Sequence, residues 1–224
     1  MRMRRTTAVI LLVIVSLSAS YERADAYRLI EYREWNVAAQ DGSKFTVKNT
    51  RGAIEVIGWD RDEIEISATI RIRAASKDKA QRIYGKIEFE IGQEAGNISV
   101  RALIPGHRKD SMSGEGNTTV WVDYSIRVPH STDLDIRSVT GDIAVVQVGG
   151  EFHVVSEQGS IDMLSRGGEG LLRTNNGDIG CELAFLPAGG KLRLKTGNGD
   201  VSLGIPPETS STLRAKTGVG RVKV

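Results

Sequence analysis

Arg137, Arg173, Lys195 and Lys216 recur at one position of a repeated segment in the C-terminal part of this 224-residue chain, with Arg193 and Arg214 two places before the last two. Val155 holds the same position in a further copy, where His153 lies two places earlier. Guanidinium and ammonium groups at regular intervals suit the electrostatic holding of a repeating anion: an anionic surface polymer, a row of lipid headgroups or an acidic face of an envelope protein. The plainer alternative is a solvated strand face whose Lys and Arg discourage edge-to-edge pairing.

A second set is Asp142, Asp178 and Asp200, each directly after a glycine. Calcium-binding β-roll repeats carry Gly and Asp at intervals of about nine residues. Here the interval is about double, and Ser160 and Arg221 interrupt the column, so the expected role is a carboxylate accepting N–H groups of a turn. No metal or cofactor is expected. The three histidines, His107, His130 and His153, fall in a loop, after a proline and on a strand's outer face, without ligand spacing. Ser111 and Ser113 lie in a flexible-looking loop and not on the strand-to-helix elbow that activates a nucleophile. Catalytic residues are therefore not assigned, and the chain reads as non-enzymatic.

The elements that must position these groups are glycine-centred turns. The phrase is a pair of alternating apolar residues, a Ser or Thr, two spacers, Gly, a residue often Asp, and a β-branched residue that restarts the alternation. Its copies centre on Gly141, Gly159, Gly177, Gly199 and Gly220, spaced 18, 18, 22 and 21 residues apart. Arg51-Gly52-Ala53-Ile54 reads as a sixth copy, separated from the others by an inserted stretch. A unit near twenty residues cannot bury its apolar face alone, so stacking is implied. Inward positions are Leu134 and Ile136, Phe152 and Val154, Leu172, Leu192 and Leu194, Leu213 and Ala215 before the glycine. After it they are Ile143 and Val145, Ile161 and Met163, Ile179 and Cys181, Val201 and Leu203, Val222 and Val224. A polar column, Asn49, Ser138, Ser156, Thr174, Thr196 and Thr217, is placed to bond turn backbone in its own or the next copy.

Two architectures fit. If each phrase is a corner, the chain is an all-β, β-solenoid-like stack of short strands; if each is a hairpin turn, it is an antiparallel sandwich or meander. The likeness of side chains in each slot favours the solenoid. The insertion is also strand-rich: Ile64, Ile66, Ala68, Ile70 and Ile72 alternate with polar residues, as do Val120 to Val128. One helix is expected over 76–86, and a polar loop from Pro105 to Thr119. Tyr27, Tyr32 and Trp35 are expected to pack across the open end of a sheet.

The ends and the charge set the compartment. Arg2, Arg4 and Arg5, the apolar run Ala8 to Leu17 and Ala24-Asp25-Ala26 have the layout of a signal peptide over 1–26, cleaved before Tyr27. The run is shorter than the roughly 20 residues that span a bilayer, which makes a retained anchor the weaker reading. Removing 1–26 takes four of 30 Lys and Arg and two of 28 Asp and Glu, leaving 26 of each. A neutral mature chain argues against nucleic-acid binding. Cys181 is the only cysteine, so an intrachain disulfide is impossible, and its slot marks it as a small core residue. The expected organisation is a signal peptide (1–26), a β-rich part with a short helix (27–130) and a β-repeat part (131–224) continuous with it. The expected location is the periplasm, cell surface or exterior of a bacterium. Nothing in the sequence specifies an oligomeric state.

The Gly-Asp-Ile and Gly-Asp-Val turns, the Gly58-Trp59-Asp60 segment before the Ile64 to Ile72 strand, and Tyr124 to Pro129 before the repeats resemble the bacterial "putative adhesin" family. The likeness covers about residues 43 to 224. It implies a β-solenoid-like fold, an exported or envelope setting and no catalytic residues. Gln158-Gly159-Ser160 and Val219-Gly220-Arg221 depart from the pattern. Three functions are therefore carried forward: an adhesin-like binding protein, a β-helical enzyme acting on acidic polysaccharide, and a structural or stress-sensing part of an envelope complex.

Overall fold

The computed structural model describes residues 11–13, 21–23, 26–94, 96–104, 118–206 and 211–224. Ser111, Ser113 and His107 lie outside these residues. Among the described residues the fold is all-β apart from one short helix, and the strands form two mixed sheets, one of eleven strands and one of eight. The N-terminal part runs β1 (Leu11–Val13), β2 (Tyr21–Arg23), β3 (Ala26–Ala38), β4 (Lys44–Arg51), β5 (Ile54–Trp59), β6 (Glu63–Ala74), α1 (Lys77–Tyr84), β7 (Glu88–Glu94), β8 (Asn97–Leu103) and β9 (Thr119–Pro129). The repeats supply β10 (Asp133–Thr140) and β11 (Ile143–Val146), β12 (Phe152–Gln158) and β13 (Ile161–Ser165), β14 (Gly170–Asn176) and β15 (Ile179–Leu183), β16 (Lys191–Asn198) and β17 (Val201–Gly204), β18 (Thr212–Val219) and β19 (Val222–Lys223).

Each glycine phrase carries the chain from one sheet into the other. The smaller sheet is ordered β18-β16-β14-β12-β10-β4-β8-β7, and the larger runs β1-β3-β6-β9-β5-β11-β13-β15-β17-β19 with β2 beside β3. From β8 to β18 and from β9 to β19 every pairing is parallel. The pairs β3·β6, β6·β9 and β7·β8 are antiparallel. Two sheets on one core fit the sandwich alternative, with the repeat strands inside it parallel and in register. The copy at Gly52 sits in line with the others, because β4 and β5 lie between β8 or β9 and the first C-terminal copy.

Like residues meet in register because a parallel pairing of identical phrases has no reason to slip. Ile143, Ile161, Ile179 and Val201 form one such row, and all are buried. Cys181 sits between Met163 and Leu203. Each fully buried aliphatic side chain contributes about 1.5–3 kcal/mol relative to an exposed one. The last copy differs from the sequence expectation. Leu213 and Ala215 are half-buried, and Val222 and Val224 are exposed, because β18 and β19 have a strand neighbour on one side only among the described residues.

The corners are held by bonds between copies. The N–H of Gly141 donates to Gln158 O (2.8 Å), that of Gly159 to Asn176 O (2.9 Å) and that of Gly177 to Asn198 O (2.9 Å). Thr174, Thr196 and Thr217 donate their hydroxyls to the carbonyls of Gly159, Gly177 and Gly199. These bonds reach back to the preceding copy, where the sequence suggested the same or the next one. Asn49 donates to its own Gly52 O (3.1 Å) and to Val122 O on β9 (2.7 Å).

The N-terminal end closes differently. Ser76 caps α1 by accepting the Lys79 N–H, and the helix packs on β3 and β6 through buried Ala80. Trp35 is buried with its ring 4.8 Å from that of Phe89. Tyr27 and Trp35 point inward as expected. Tyr32 does not: an even-numbered residue on the same strand faces the opposite side, and it is exposed.

A candidate anion-binding face

The outer side chains of the smaller sheet stand in columns across the strands, because a parallel in-register pairing puts equivalent residues about 4.8 Å apart. One column is Lys216, Lys195, Arg173, Val155 and Arg137, from β18 to β10. It continues to Lys48 on β4 and Arg101 on β8. A parallel column holds Arg214, Arg193, Leu171, His153 and Asp135. The six cations named from the sequence thus share one surface, and all are exposed.

The face is uneven in a way the spacing alone did not show. Asp135 holds Arg137 through two hydrogen bonds, Nε to Oδ1 at 3.0 Å and Nη2 to Oδ2 at 3.1 Å. The same carboxylate lies 3.4 Å from His153 Nδ1. Arg101 is paired with Glu90 at 2.5 Å. Arg173 meets, among the described residues, only the amide oxygen of Asn175, at 3.4 Å. Among the described residues, Lys48, Arg193, Lys195, Arg214 and Lys216 form no ion pair. The available positive charge is therefore concentrated on β14, β16 and β18, with Lys48 further along. Sequence reasoning missed Lys48 and Arg101, since β4 lies before the insertion and β8 lies within it. It also missed Asp135, although its place two residues before Arg137 on one strand face was a readable signal.

Beside this cluster lies a groove of about 590 Å³, lined among others by Glu151, His153, Glu169, Leu171, Arg193 and Arg214. Its carboxyl groups belong partly to the scaffold. Asp133 Oδ1 accepts the Glu151 N–H (2.7 Å), and Glu169 Oε2 accepts the Lys191 N–H (2.8 Å), so each secures the start of the next copy's strand.

The turn carboxylates make the same kind of bond at the corners. Asp142 Oδ1 accepts the Ser160 N–H, Asp178 Oδ1 that of Asp200, and Asp200 Oδ1 that of Arg221, each at 2.8 Å. Ser160, which breaks the Asp column, accepts the Asp178 N–H with its hydroxyl at 3.2 Å. The Arg221 guanidinium and backbone N–H bound to Asp200 hold its carboxyl below the ordinary value of 3.8. Among the described residues no three His, Cys, Asp or Glu side chains converge as a metal site. His130 sits apart, with Nδ1 2.6 Å from Gln147 O and Nε2 3.3 Å from Asp60.

Cys181 is buried, and desolvation pushes its thiol up to about 12. The thiolate form is therefore scarce at neutral pH. In the folded protein, Ellman's reagent at pH 8 is expected to leave Cys181 unmodified over an hour, with stoichiometric reaction in guanidinium chloride. Rapid labelling without denaturant would show the thiol is accessible.

No family model matches the chain, and no curated protein matches it. Among solved structures it is similar to a "putative cell adhesion protein" from Clostridium sporogenes, at 12% identity and a TM-score of 0.47, covering 86% of this chain and 98% of that one. It is also similar to a "putative adhesin" from Bacteroides fragilis, at 12% identity and a TM-score of 0.29, covering 86% and 96%. A "putative lipid binding protein" from Parabacteroides distasonis aligns at 11% identity and a TM-score of 0.29, covering 87% and 96%. The first two descriptions are of the kind that the turn phrases resemble. No helix among the described residues is long and apolar enough to cross a membrane.

Proposed function

We propose that this protein is an exported, non-enzymatic, adhesin-like binding protein whose stacked copies form a β-solenoid-like coil, and that the outer face of its smaller sheet holds an anionic surface component. Residues 1–26 act as the export signal in this reading. The observation that carries it is the group Arg173, Arg193, Lys195, Arg214 and Lys216, exposed on adjacent strands without a carboxylate partner among the described residues. Cations kept only to block edge pairing would be needed on β18, the edge strand. Those on β14 and β16 lie on interior strands, where both edges are already paired. The ladder fixes the spacing of the strands that carry the charges in advance, so the ordering cost of binding falls on the exposed side chains and not on the backbone.

The test is charge reversal on positions that carry no structural bond. The double variant Lys195→Glu with Lys216→Glu is expected to lower affinity for a broad polyanion probe, heparin, at least about tenfold at low salt. Its thermal melt is expected to match the parent's. Unchanged heparin binding in a folded double variant would reduce the face to a solvated surface.

A further inference from the structure

We infer that the natural occupant of this face is an acidic polysaccharide with a carboxylate on every sugar ring, lying across the strands along the column Lys216, Lys195 and Arg173. This inference rests on the anion-binding reading above and adds the ligand class. Parallel strands in register place one cation every 4.8 Å or so along the column. In an extended chain of linked uronate rings neighbouring rings are flipped, so the carboxylates facing one side recur every second ring, at about two ring lengths, which is close to two strand steps. A polyphosphate carries its anions closer together and a glycerol phosphate polymer carries them further apart. Either loses step with the strands after a contact or two.

A membrane fits the face less well than a thin chain. Glu157 projects from the same sheet, and Asp133, Glu151 and Glu169 stand along its margin, where the strands begin. A flat anionic bilayer would press its headgroups against those carboxylates, whereas a single chain following the column passes beside them. The face also offers no Trp, Tyr or Phe on the described outer positions of β10 to β18, so neither insertion into lipid nor ring stacking contributes. Binding then depends on charge register, which makes it sensitive to salt and to ligand length.

The column also has a gap, and that gap gives the sharpest test. Val155 on β12 separates Arg173 from Arg137, and its side chain is part-exposed in the cationic column. The variant Val155→Arg supplies the missing cation without touching a buried residue. Calorimetric titration of the full chain with trigalacturonate and hexagalacturonate, inorganic polyphosphate and phosphatidylglycerol vesicles separates the possibilities. The parent is expected to prefer hexagalacturonate over trigalacturonate, and over the other two probes at equal charge. Val155→Arg is expected to tighten hexagalacturonate binding about fivefold while changing trigalacturonate less than about twofold. Polyphosphate or vesicles binding as tightly as hexagalacturonate would overturn the ligand class and leave the anion-binding face standing. So would a Val155→Arg gain equal for all probes. Absence of binding to every probe at low salt would remove both readings.

Discussion

Gly177→Ala is expected to destabilise the protein by about 3–5 kcal/mol, enough to unfold a domain of ordinary stability. Two effects act together at this corner. Gly177 has φ 147°, a conformation that an L side chain rarely adopts. A Cβ there would also lie on the Gly159 carbonyl group, 2.5 Å from its carbon, with the Ser160 nitrogen 2.9 Å away. Backbone atoms on both sides are tied into neighbouring copies, so the clash is not relieved by a side-chain rotation. Gly189→Ala is the control: its φ is 74° but no heavy atom lies within 4 Å of the added Cβ. That variant is expected to cost only about 1 kcal/mol. Urea denaturation of both would decide the point, and equal losses would show that the close approach of the glycines contributes nothing.

The second large effect is expected at Asn49. Its buried side-chain amide donates to Gly52 O and to Val122 O, and so joins the outlying copy to β9 across the insertion. In the three later copies that carry Thr a single hydroxyl reaches the carbonyl of the preceding glycine corner, whereas the buried hydroxyls of Ser138 and Ser156 make no such bond. Asn49→Ala removes two hydrogen bonds from a buried site and is expected to cost about 2–3 kcal/mol in urea denaturation. Asn49→Thr, which reproduces the later copies, is expected to recover about half of that, because a single short donor reaches one carbonyl and not both. Full stability in the Thr variant would mean the bond to Val122 is dispensable.

These two positions show why some of the molecule was legible and some was not. The corner glycines, the inward aliphatic residues, the short helix and the slot of Cys181 follow from chemistry within a few residues: a positive φ, the two-residue alternation of a strand and a capping serine. A repeated phrase makes each of these local signals visible several times over. The copies even predict which cations share a column, provided the strands they sit on are consecutive.

The contacts that shape the candidate face obey no such local rule. Lys48 and Arg101 extend the column only because β4 and β8 pair beside β10, which joins parts of the chain far apart in sequence. The Asp135 carboxylate neutralises Arg137, and Glu90 takes Arg101, so two of the cations lose most of their value for an incoming anion. The last copy's valines stayed exposed for the same kind of reason, the absence of a neighbouring strand on one side among the described residues. The amino-acid sequence by itself determined the shape of each layer, because backbone conformation at the bends and burial along a strand are set by adjacent residues. Only the tertiary structure decided which charges remain available and where they line up, because that depends on which distant strand arrives alongside and what its side chains already hold.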